Sequence, residues 1–311
     1  MFRTLKSSLS LSLTIIILLF IGLEYFSYQS QKVLLSGLVS NQKIAEGVVQ
    51  VKTLEKDVLD LQRNILLYKI NHSPTALKRF NDIMISVNNK LDVTNLFIQS
   101  NKIESDQKVA LDSMRNHLQD YQENFDSVVL FINKRNDLFN EKIAPTFSLL
   151  KDIIAEELNE KTKKQPNQSR QLIYQKLNGL TSELQLTAYK YFYQTNVESI
   201  NNFQNTFDKI QHETLTLNNQ KISSHITALN ADFTLLTQVT RNYNYLVNVV
   251  MSGSANEFLY LAKKLSETVL QHLNSSNSNL NIIVDDSILR GNIMFILGIV
   301  LTSIITLPDY P

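Results

Sequence analysis

Arg63 is the side chain on which ligand chemistry turns most readily. With Leu61 as reference, Leu61, Ile65 and Tyr68 share one face of a helix. Leu59, Leu66 and Ile70 make a second apolar face nearly opposite, and Arg63 sits in its middle. A helix apolar on both sides is expected to be buried on both, against a bundle core and against a dimer partner. A charge on such a face needs an anion, a carboxylate or water. The functional reading is a two-pronged hydrogen bond from Arg63 to a ligand carboxylate. The structural one is an arginine that snorkels or pairs with an internal Asp or Glu. Arg241 is the second candidate, on the polar side of its helix with Asn244, Tyr245 and Asn248, opposite Leu235, Val239, Leu246 and Val250. That side is either a solvated face or a groove with Arg241 and Tyr245 as donors. Tyr68 and Tyr191 precede helix breaks, where a tyrosine lines a pocket at a bundle end or continues an apolar stripe.

Other chemistries find little support. His72, His117, His212, His225 and His272 are scattered, without the convergent donors a metal needs. No local signature organises a nucleophile, so neither an enzyme nor a cofactor is expected. The seven glycines among 311 residues never approach a phosphate-binding spacing, and no cysteine is present for thiol or disulfide chemistry. Thirty basic against 29 acidic residues offer no basic stripe, so no nucleic-acid partner is expected.

The elements that must position these residues are helices. Seven Gly and five Pro supply little turn material, where average usage gives roughly 22 and 15. Apolar residues recur at helical spacing, as in Val51, Leu54, Val58, Leu61, Ile65 and Tyr68, or Val109, Leu111, Met114, Leu118, Tyr121, Phe125, Val128 and Val129. Breaks follow from cap chemistry at Ser73-Pro74, Ser100-Asn101 and Gln165-Pro166-Asn167. The boxes Thr195-x-x-Glu198 and Ser254-x-x-Glu257 add two more. Helices are expected over 29–71, 74–100, 105–163, 168–194, 196–251 and 254–307, with Pro145 kinking the third or marking a junction and a polar interruption near Asn218.

Both ends are apolar. Leu9 to Leu23, with Tyr25, Phe26 and Tyr28 behind, gives about 20 residues, enough for ~30 Å of hydrocarbon. Arg3 and Lys6 precede this run, placing residues 1–8 in the cytoplasm and a span over 9–28. Gly291 to Leu307 reads as a second, shorter span, with Arg290 at its edge. Residues 29–289 then lie outside, and 308–311 form a cytoplasmic stub. A shift of 123 residues pairs Leu54 with Leu177, Leu61-Gln62 with Leu184-Gln185, Tyr68 with Tyr191, Leu77 with Ile200 and Phe80 with Phe203. Two amphipathic helices in phase produce such matches by themselves. If the repeat is a duplication, it describes two similar helical hairpins, hence two bundle modules.

Two terminal spans around ~260 helical residues resemble the sensory region of bacterial transmembrane receptors: sensor histidine kinases, methyl-accepting chemotaxis receptors and related diguanylate cyclases. The run from Leu236 to Phe258, LTQVTRNYNYLVNVVMSGSANEF, and the stretch from Leu61 to Tyr68 carry the local likeness. Size and doubling are similar to the helical bimodular type. The resemblance implies an elongated all-α periplasmic bundle of two stacked four-helix modules, an inner-membrane homodimer, and a small ligand or a periplasmic binding protein as partner. Arg63, Arg241, Tyr245, Tyr68 and Tyr191 would be its ligand-binding residues. Such receptors continue into a HAMP linker and a cytoplasmic signalling output. The chain stops at Pro311, with Pro308 where a linker's early proline falls. A membrane-anchored helical scaffold without a ligand, or an accessory subunit pairing with a separate receptor, are the alternatives.

Overall fold

The computed structural model describes residues 5–100, 105–164 and 168–306. Arg3, Asn101, the Gln165-Pro166-Asn167 break, Leu307 and the stub from Pro308 on lie outside these. The described residues are helical almost throughout, with no strand among them. The elements are α1 (Leu5–Asn71), α2 (Pro74–Ser100), α3 (Ser105–Asp137), α4 (Ala144–Lys164), α5 (Gln168–Gln194), α6 (Val197–Leu217), α7 (Gln220–Tyr245) and α8 (Ser252–Thr306). A π-helical turn, Leu138–Ile143, joins α3 to α4, and another, Leu246–Met251, joins α7 to α8.

Three boundaries differ from the sequence expectation. The cap of α6 is Asn196, whose side chain accepts the Ser199 N–H at 2.8 Å, while Thr195 takes the left-handed φ of 50° that ends α5. The interruption near Asn218 is a full break: Asn218 is left-handed and closes α6, and Asn219 caps α7 by accepting from the Lys221 and Ile222 amides. Asparagine tolerates both roles because its short amide replaces lost backbone partners. No break occurs at Gly253, so Ser254 caps nothing and the chain runs on as α8.

Contacts divide the chain into two compact units: the described residues of Met1–Asp60, Ile85–Arg115 and Phe258–Pro311, and those of Leu61–Met84 and Asn116–Glu257. In the first unit, Lys90 and Asp57 pair at 2.5 Å and Arg115 and Asp92 at 2.7 Å. Two helix crossings there set a glycine against a neighbouring side chain. A Cβ on Gly47 would lie 2.7 Å from the Phe97 ring, and one on Gly37 would overlap Leu280. From Leu13 onward α1 carries a stretch long and apolar enough to cross a membrane, the one such helix among the described residues. Phe20 on it and Phe295 on α8 are 68% and 64% exposed. The two runs meet where Gly22 faces Met294 and Gly298 faces Leu19. In the second unit, α4 to α7 share a core of Phe147, Leu150, Tyr174, Leu184, Phe203, Phe233 and Leu236.

Several positions paired by the internal repeat adopt matching local geometry. His72 and Thr195, one shift of 123 apart, are both left-handed and both donate their N–H to a tyrosine carbonyl, Tyr68 or Tyr191, at 2.8 Å. Phe125 meets Tyr68 edge-on at 5.6 Å and Phe80 at 3.9 Å. Phe233 meets Tyr191 edge-on at 5.5 Å and Phe203 at 3.6 Å. From the third helix of each copy the shift becomes 108 residues, pairing Phe125 with Phe233 and Leu138–Ile143 with Leu246–Met251. The change of register reflects a shorter second hairpin in both arms: α6 has 21 residues where α2 has 27, and Phe233 is the 14th residue of α7 where Phe125 is the 21st of α3.

Candidate functional site

The π turns set which side chains reach the interior. In α3 the buried positions step from Arg135 to Phe139, Ile143 and Phe147, three intervals of four. From Tyr243 the same steps lead to Val247, Met251 and Ala255. An α-helix covers three turns in about 11 residues, so each stretch carries one residue too many, which the wider turn absorbs. In the first copy Pro145 follows one residue beyond the turn, lacking the N–H that a regular helix would need there. In the second copy the extra residue moves the buried face. Tyr243, Val247 and Met251 point inward, where regular periodicity puts Leu246 and Val250.

Arg135 lies three residues before the first π turn and is 5% exposed. One guanidinium nitrogen donates to the Phe192 carbonyl near the end of α5, and the group lies 4.2 Å over the Phe192 ring. Its Nε has no partner. A cation at a helix C-terminus meets the negative end of the dipole. Burial lowers the Arg135 pKa, while Tyr243 and Tyr191 act to raise it. The same charge lowers the pKa of His72, although burial is the larger cause. Arg135 therefore bonds to the end of α5 and lies within electrostatic reach of His72 at the corner between α1 and α2.

Beside this layer a groove of about 310 Å³ opens between α1 and the second π turn. Ile65, Leu66, Val247 and Met251 form its apolar walls, and Gln62, Asn248 and Ser252 its polar edge. Tyr121 of α3 closes the floor, its phenol pKa raised by burial, so it stays a protonated donor. Lys69 spans the rim, donating to Asn248 Oδ1 at 3.2 Å. The volume lies at the small end of ligand pockets, and the mixture of lining groups is typical of them. No group of His, Asp or Glu among the described residues is arranged to hold a metal ion.

The residues singled out from sequence fall around this groove rather than in it. Arg63 is exposed, one position from Gln62. Its expected second buried face is exposed in the chain: Ile70 is 71% accessible, with Leu59 and Leu66 also exposed. Arg241 and Tyr245 are exposed. The Arg241 charge reaches Tyr191, lowering a phenol pKa that burial raises more strongly. Tyr68 and Tyr191 are buried in the paired aromatic triads, and Tyr191 also shares a hydrogen bond with Thr240. Gln62, Met251 and Ser252 fall inside the two stretches that carry the local likeness and Tyr121 inside an apolar stripe, but none of the four stands out there as a binding residue; the four-residue steps through the π turn are the signal that locates Val247 and Met251.

No family model matches the sequence, and no curated protein matches it. Among solved structures the chain is similar to the sensor domain of the histidine kinase sensor TorS of V. parahaemolyticus. Identity is 16% over 77% of this chain and 99% of that one, with a TM-score of 0.46.

Proposed function

We propose that the chain is the ligand-sensing and transmembrane signalling region of a bacterial inner-membrane receptor, without catalytic activity of its own. One observation carries this reading. The groove lies between α1 and the turn that opens α8, and the apolar exposed runs are the far ends of those same two helices. Both helices are unbroken from groove to apolar run. A small ligand preferring one of two packings at the groove would shift α8 against α1. Displacements of ~1–2 Å suffice, because packed helices adopt discrete arrangements. On this reading both apolar runs span the membrane and the groove faces the periplasm, where a small molecule or a binding protein would reach it. The exposed apolar residues Ile70, Tyr245 and Val249 support a homodimer contact beside the groove.

The test needs no ligand. Spin labels at Tyr28 and Ile288, both exposed on the two helices, report the α1–α8 separation of the full chain in lipid nanodiscs. Filling the groove with Leu66→Tyr and Val247→Phe should change that separation by ~1–2 Å. An unchanged distance distribution would overturn the reading.

A further inference from the structure

The internal repeat contains the groove twice, and only one copy is open. Under the two shifts, Leu66 and Lys69 correspond to Tyr189 and Phe192, and Val247, Asn248 and Met251 to Phe139, Asn140 and Ile143. In the second copy the chain's own rings fill the place. Phe139 stacks on Phe192 with centroids 3.9 Å and planes 12° apart, and meets Tyr189 edge-on at 4.9 Å. In the open copy a valine, a leucine and a lysine replace those three rings, and Lys69 turns to Asn248 instead. The backbone frame is kept, since both turns are π-helical over matching residues and both carry an exposed asparagine, Asn140 or Asn248.

Taking the groove as the sensing site, we propose that its ligand is a small, uncharged, ring-bearing molecule seated where Phe139 and Tyr189 sit in the other copy. The filled copy shows that this frame accepts stacked and edge-on rings. Ile65, Leu66 and Val247 offer the apolar walls such a ring needs, and the Met251 sulfur is a favourable neighbour for an aromatic edge. Gln62, Asn248, Ser252 and the Tyr121 phenol supply donors and acceptors for one or two hydroxyl or amide-type substituents. The lining itself holds no charged side chain, and the Lys69 ammonium at the rim is held by Asn248 Oδ1, so an ionised ligand would lose hydration and gain an ion pair only by drawing Lys69 off that partner.

Indole and phenol serve as neutral probes, with benzoate and acetate as charged ones. Each is titrated against the full chain in lipid nanodiscs, with thermal midpoint and ligand-observed NMR as readouts. Indole or phenol should stabilise the wild-type chain saturably. Val247→Phe and Leu66→Tyr, each introducing the residue of the filled copy, should weaken that binding about ten-fold or more. Leu66 is on the exposed rim, so Leu66→Tyr keeps the test usable if Val247→Phe disturbs folding. The reverse pair, Phe139→Val with Tyr189→Leu, should open the second place and raise the stoichiometry from one to two. Binding of benzoate or acetate without the neutral rings, or ring binding equal in both filling variants, overturns the proposal. Ring binding at the groove with an unchanged α1–α8 separation would sink the sensing role and leave the ligand class standing. A changed separation with no ring binding would do the opposite.

Discussion

Arg135 and His72 both belong to the second unit, and burial acts on each in a testable way. Arg135→Met keeps most of the side-chain volume but leaves the Phe192 carbonyl without its donor and removes the contact over the ring. A buried acceptor left unpaired costs about 1–3 kcal/mol. The loss should appear as a lower denaturation midpoint; a midpoint equal to wild type would mean that relief from burying the charge cancels the lost contacts. His72 titrates in the opposite sense to an ion-paired histidine. Its folded pKa lies below the ordinary 6.5, chiefly through burial and also through Arg135. The unfolded chain therefore binds the proton more readily, and stability must fall as pH drops below 6.5. His72→Asn keeps a residue that accepts the left-handed backbone and removes the titrating group. Thermal midpoints between pH 5 and 8 should flatten in this variant. An identical pH slope in both proteins would assign the effect elsewhere. Little of this was legible from composition. Tyr68 and Tyr191 announced themselves by continuing apolar stripes before a break. Arg135 did not, because its partner is a backbone carbonyl and a ring from a helix more than fifty residues away.

The element scale shows where periodicity succeeds and where it fails. The stripe of α1 was readable residue by residue, and that of α3 from Leu111 to Val128, because a regular helix repeats every 3.6 residues; Val109, which the same spacing selects, is 65% exposed. The cap of α6 was readable to within a residue, since Thr195 and Asn196 are both good caps and only the left-handed Thr195 backbone decides between them, whereas the box at Ser254 marks no helix start. The π turns were missed because one extra residue re-phases everything after it. Leu246 and Val250 then look buried when Val247 and Met251 are. Deleting the exposed Val249 removes that extra residue and should return the segment to a regular α-helix. Far-ultraviolet circular dichroism should change little, while the thermal midpoint falls, since α8 would be rotated by about 100° against its neighbours. Unchanged stability would show that the turn is a tolerated insertion rather than part of the packing.

At the scale of the whole chain, the repeat converts two ordinary helical hairpins into a pair with different contents, one packed with Phe139, Tyr189 and Phe192 and the other left with a groove. All-α architecture followed from scarce glycine and proline and from helical spacing. The divergence of the copies was hidden because it lies in which ring replaces which aliphatic, and both satisfy the same apolar pattern.

The membrane reading rests on the pairing of the two apolar runs, and that pairing has a direct test. A Cβ at Gly298 would lie 3.8 Å from a Leu19 methyl, and one at Gly22 3.7 Å from the Met294 methyl. Small residues at such crossings let helices approach closely in lipid, where association depends on packing rather than on the hydrophobic effect. The chain has no cysteine, so Leu19→Cys with Gly298→Cys introduces a single possible intramolecular bridge. Mild oxidation in native membranes should close it within one chain and shift its mobility on a non-reducing gel. Moving the first cysteine to Leu18, exposed beside it, should abolish that product. A bridge that forms equally from either position would mean the two runs have no fixed register. Its absence from both would leave α8 without a neighbour at its apolar end. In either case a displacement begun at the groove would have no partner helix against which to be measured, and signalling by relative movement of α1 and α8 would be lost as a mechanism.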